Sequence, residues 1–131
     1  MIAPFTTYPR TALGIVGIFY LALGIVCSIY PTKMGDAMGY TFKGNGIIEF
    51  VVIYGGMEIG FGLAMLVAVV NRAIYPGVYF MALAVSLALP IARTGMFLPL
   101  KIDSKAGPIL IIELAILAAL IGPFLRRGKH E

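Results

Sequence analysis

Four ionisable side chains stand inside stretches that otherwise hold almost no charge: Glu49, Glu58, Arg93 and Glu113. An ionisable group within a membrane-length apolar segment costs roughly 2.5–3.5 kcal/mol to insert and usually faces a bundle interior or a cavity. Three acids and one base cannot pair one to one. An arginine can satisfy one carboxylate through two parallel hydrogen bonds. An acid left without a cation can hold or hand over a proton, which is what general acid–base work requires. Glu58 and Glu113 are therefore the candidate acid and base. Tyr54 precedes Glu58 by four residues and shares its helix face. Arg93, Tyr54, Glu49 and Ser86 are the candidate ligand contacts.

These residues need elements to position them, and the hydropathy pattern supplies four. A spanning helix takes about 20 mostly apolar residues. Residues 11–30, 47–70, 74–97 and 107–125 each meet that description. The first is expected to be kept rather than cleaved, because its apolar run exceeds that of a secretory signal and no small-residue cleavage site follows it. Pro31 ends it, since proline cannot continue the hydrogen-bond ladder. Pro108 suits the first turn of the fourth. With about 1.5 Å of rise per residue, Glu58 lies about 13 Å deeper than Glu49. Arg93 sits about 6 Å from the outward end of its span, and Glu113 about 9 Å into the next. Arg93 and Glu113 match best in depth and are expected to pair. Glu49 is half a turn out of phase with Glu58. The expectation is an outer-half pocket lined by Glu58, Arg93, Glu113 and Tyr54.

Small residues indicate how the spans pack, because apolar area drives no association between helices in lipid. Gly14, Gly17, Gly24 and Ser28 form one stripe; Gly56 and Gly60, and Ala82, Ser86 and Pro90, form others. Contact within one bundle is the plainer use of such stripes and homo-oligomer contact the other. Pro90 frees the Ser86 carbonyl and is expected to kink its helix just before Arg93.

Of the chain's 131 residues, 60% are hydrophobic and 12% charged. Soluble domains carry about 25% charged residues, so this composition belongs in a membrane. It excludes disorder, and a single Cys excludes a disulfide framework. An even number of spans puts both termini on one side, with Arg10, Arg72, Arg126, Arg127 and Lys129. Lys33, Lys43, Lys101 and Lys105 fall on the other. That bias predicts termini in the cytoplasm and a multi-pass membrane protein. Scattered basic residues exclude nucleic acid as a partner. His130 lies too near the C-terminus for a haem or metal role. Cys27 reads as a small apolar residue. Met34 and Met38 alone make a poor Cu(I) site, and Gly44-Asn45-Gly46 lacks the ending of a phosphate loop. No metal and no cofactor is expected.

Glu49 opening the second span, Tyr54-Gly55-Gly56, the alternating Gly60 and Gly62, Arg72 between the spans and Arg93 late in the third form a recognisable set. On these, residues 46–97 resemble a family of small bacterial membrane proteins, DoxX-like in appearance, that has four spans and no assigned reaction. The resemblance implies an all-α, four-helix transmembrane bundle forming one domain. It implies no reaction and does not extend to Glu58 or Glu113.

Three functions are compatible with these residues. The first is a binding or accessory protein that holds an amphipathic, lipid-like ligand or a larger membrane partner. The second is a cofactor-independent acid–base enzyme, such as an isomerase, cyclase or epoxide-opening hydrolase, acting on a lipophilic substrate. Arg93 or Tyr54 would then stabilise developing negative charge. The third, a small oligomeric proton-coupled transporter, finds no inverted repeat to support it.

Overall fold

The structure is a computed structural model that describes residues 7–97 and 105–127. The described residues form helices and no strands. Helix α1 is Thr7–Ile29, α2 is Pro31–Met38 and α3 is Gly46–Phe50. A π-helical segment, Val51–Met57, joins α3 to α4, Glu58–Val70. Helices α5, Tyr75–Phe97, and α6, Ala106–Arg127, complete the chain. Three rods, Pro9–Ile29, the continuous Gly46–Val70 and Tyr75–Gly95, are long and apolar enough to cross a membrane. Within α6, Ala106–Gly122 is a shorter apolar helix.

Helix α1 packs on α4 and the π segment, α4 on α5, α5 on α6, and α6 back on α1. The seam between α1 and the second rod is made by glycine. A Cβ built on Gly62 would lie 2.6 Å from the Leu21 nitrogen and 2.7 Å from the Gly17 oxygen. One on Gly24 would lie 2.7 Å from the Ile59 nitrogen and 2.8 Å from the Gly55 oxygen. Backbone therefore meets backbone, which is how helices associate where lipid removes the hydrophobic drive. The stripe on α1 is used inside the bundle. Gly56 and Gly60 face open space instead. Ala82, Ser86 and Pro90 are all buried, and α5 runs as one helix through Pro90.

The exterior is apolar. Ile15, Phe80 and Ile111 are more than 60% exposed, and Ile18, Leu63, Val67 and Ile91 join them on the surface. A water-soluble monomer does not spread such a coat over all of its long helices. The described residues are those of a helical, multi-pass type of membrane protein, and among them Glu58, Ser86 and Glu113 are the buried polar or charged groups.

The bundle is filled at one end and hollow at the other. At the filled end Leu13, Val16, Met65, Ala68, Tyr75, Ala82 and Leu120 form the core, with Tyr20 at its upper edge. The Arg10 guanidinium lies 5.5 Å from the centre of the Tyr75 ring, which stacks on Tyr79. The Tyr79 hydroxyl donates to the Leu120 carbonyl and ties α5 to α6.

Two features depart from the sequence expectation. Residues 31–46, read as a connecting loop, contain α2, with Pro31 at its start and Gly39 capping it at φ 84°. That left-handed cap suits glycine. The second rod is also not a plain α-helix, because its middle widens into the π segment. Gly55 lies there against Ser28 and Gly24 of α1.

Candidate functional site

The hollow end holds a partly open cavity of about 220 Å³. Its wall is mostly apolar, with Leu23, Ile53, Met57, Leu89, Ile109 and Ile116 among its contributors. Glu58, Arg93, Glu113 and Tyr54 supply polar atoms, and Tyr20 and Tyr40 bring further hydroxyl-bearing rings. Few convergent polar groups in an apolar pocket is the usual make-up of a small-molecule site.

Arg93 and Glu113 come from antiparallel α5 and α6. Arg93 donates from Nε to Glu113 Oε2 at 2.9 Å and from Nη2 to Oε1 at 2.6 Å. This is the bidentate fork in which a planar guanidinium matches a carboxylate. The glutamate side chain is 10% exposed and the arginine 26%. The pair thus satisfies the carboxylate while leaving an edge of the guanidinium accessible.

Glu58 opens α4 directly after the π segment and is buried. Its Oε2 is enclosed and has no hydrogen-bond partner among the described residues. A π turn inside a transmembrane-length helix shifts the side chains that follow it, and such segments are frequent at functional sites. Here the segment carries Tyr54 and ends against Glu58, and both reach the cavity wall.

The roof comes from the chain between α2 and α3. Met38 and Tyr40 line the cavity from that side. The Tyr40 and Tyr54 hydroxyls share a hydrogen bond. Tyr40 stacks on Phe42 and meets Phe50 edge-on, while Phe50 stacks on Tyr54. Lys105 Nζ donates to the Asp36 carbonyl at 2.9 Å, which fastens α2 to the start of α6.

Of the six residues singled out in the sequence, Glu58, Arg93, Glu113 and Tyr54 share this cavity. Glu49 is exposed and Ser86 is buried, and neither contributes to the wall. The π segment lies between Glu49 and Glu58, so the half-turn offset expected of a continuous α-helix does not carry over to this rod. Ser86 instead lies along the buried small-residue face of α5, with its Oγ unpartnered among the described residues. Tyr40, Tyr20 and Phe61 are wall residues that the sequence reading passed over. Tyr40 carried no signal there, because its loop has no periodicity. Tyr20 had one, since it lies in an uncharged span with a hydroxyl to satisfy. No three His, Cys, Asp or Glu side chains converge to hold a metal among the described residues.

Comparison with protein-family models, curated proteins and solved structures returned no match. The functional reading therefore rests on the geometry of the cavity.

Proposed function

We propose that this chain is a four-span inner-membrane protein, termini in the cytoplasm, that binds an amphipathic, lipid-like molecule in the cavity. Four spans make α6 the fourth crossing and put the cavity in the outer half of the bilayer. The DoxX-like resemblance of residues 46–97 belongs to the same proposal. One observation carries it: a mostly apolar cavity whose wall holds a buried, unpartnered acid and, separately, an already paired arginine. The apolar wall offsets the cost of desolvating a hydrocarbon body, and the polar groups orient its head. An engineered apolar cavity of about 150 Å³ takes up benzene. A space of about 220 Å³ thus holds a ring with a short extension or one segment of a longer chain. The outward-facing apolar surface gives such a molecule access from lipid.

The test is to purify the protein in mild detergent, extract it with solvent and identify what comes off by mass spectrometry. Wild type should release a small amphiphile in a stoichiometric amount. Val85→Phe, which projects a larger side chain from the cavity wall, should release much less. Equal recovery from both would overturn the proposal.

A second reading has an observation of its own. An unpartnered carboxyl and a pair of hydrogen-bonded tyrosines lining one cavity are the parts of proton-transfer chemistry. In this reading Glu58 or Glu113 moves a proton on a lipophilic substrate while Arg93 or Tyr54 meets developing negative charge. Glu58→Gln and Glu113→Gln would each abolish turnover with the bundle intact. Undiminished turnover in both would exclude it.

A further inference from the structure

The charge arrangement narrows the chemistry of the ligand. The cavity holds two carboxyl groups, Glu58 and Glu113, and one guanidinium, Arg93. Arg93 commits two of its donors to Glu113, one from each of two nitrogens. That pair is internally neutral. An incoming anion would have to compete with a bidentate carboxylate for the same guanidinium, and it would meet Glu58 as well. The unmet polar demand is therefore on the acidic side. Glu58 is more than nine-tenths buried, and its Oε2 accepts nothing from the described residues. A buried acceptor left unmade costs about 1–3 kcal/mol, and more if charged. A ligand that donates there removes that cost.

The rest of the wall favours a cation over a neutral donor. Phe19, Tyr20, Tyr40, Tyr54 and Phe61 all contribute to the cavity surface. Ring faces attract ammonium groups, and the attraction grows when water is excluded. An acid among aromatic rings suits an apolar body bearing a single positive charge, because the ammonium supplies the cation that holds the carboxylate ionised.

Deepening the binding reading above, on which it rests, we infer that the cavity selects a lipophilic amine, its ammonium donating to Glu58 and its hydrocarbon part lying among the rings. Aliphatic side chains, Leu89 and Ile109 among them, supply further apolar surface. The Arg93–Glu113 pair then sets the far limit of the site and excludes carboxylate amphiphiles, which are common in membranes.

Three probes of one shape test this: phenethylamine, phenethyl alcohol and phenylpropionate. Their affinities are measured by equilibrium dialysis against the protein in lipid nanodiscs, with empty nanodiscs subtracted. The amine should bind about ten- to a hundredfold more tightly than the alcohol, the range expected of a charge-assisted bond. The carboxylate should not bind above background. Glu58→Gln should bring the amine down to the level of the alcohol. An alcohol or carboxylate that binds as well as the amine would overturn the inference while leaving the binding reading intact. So would an amine preference that survives in Glu58→Gln. Absence of binding by all three would overturn both. If Glu58→Gln does not fold, the ranking in wild type decides the matter alone.

Discussion

The pairing of Arg93 with Glu113 makes a quantitative prediction that separates a structural ion pair from a binding element. Removing one partner of a buried pair costs about 3–5 kcal/mol, because the other charge is left uncompensated. Replacing both by apolar residues of similar volume is often neutral or stabilising. Glu113 is nearly enclosed and Arg93 is about a quarter exposed, so an orphaned arginine regains some solvation. Glu113→Leu should thus cost about 3 kcal/mol, the lower end of that range. Arg93→Met leaves the more buried acid alone and should cost about 4 kcal/mol. The double variant should fall within about 1 kcal/mol of wild type. The double-mutant cycle then yields a coupling of several kcal/mol, well beyond the few tenths seen for independent sites. Reversible unfolding in mixed micelles, followed by circular dichroism, measures all four proteins. Additive losses would refute the reasoning, since they would mean that the two charges do not depend on each other in the fold.

The folded double variant has a further use: it should still reject phenylpropionate in the dialysis assay, because Glu58 remains in the wall while the lining guanidinium is gone. Glycines two residues apart should respond with opposite sign. Gly62→Ala presses a Cβ into the backbone of α1 and should cost about 1–3 kcal/mol; Gly60→Ala, which meets nothing, should gain about 0.5–1 kcal/mol of helix stability. The same unfolding assay reads both. Tyr79→Phe removes the hydroxyl bond to the Leu120 carbonyl and should cost about 1 kcal/mol without altering probe affinity. Single cysteines at Lys33 and Arg72, in a Cys27→Ala background, should be labelled by impermeant thiol reagents from opposite faces of sealed vesicles. Labelling from one face would break the proposed alternation of spans.

The charged residues that meet at the cavity were more legible than the architecture around them. A charge inside an apolar span is rare enough to be noticed without an alignment, and rise per residue alone matched Arg93 with Glu113 in depth. The α1 stripe was equally plain, because small residues recurring along one helix face have few uses. The roof was not. Segment 31–38 is short and near neutral in hydropathy, and its helix is stabilised by Gly39 and by Lys105 far along the chain. Local periodicity holds no trace of that contact. The π segment was hidden for a related reason. Its geometry accompanies the close approach of Gly55 to α1, a tertiary event, and no residue type marks it. Ser86 shares its buried face of α5 with Ala82 and Pro90 and does not line the cavity, a placement that spacing along the span does not distinguish.

The methionines offer the most direct measurement of the central claim that the cavity holds a ligand. Met38 and Met57 line it, whereas Met65 sits in the filled core. Methyl-labelled methionine spectra can be recorded in nanodiscs before and after titration with phenethylamine. The account predicts saturable shifts of the Met38 and Met57 methyls at one common affinity, with Met65 unmoved and no saturable shift in Val85→Phe. Unchanged Met38 and Met57 signals, or equal shifts of all three methyls, would contradict it.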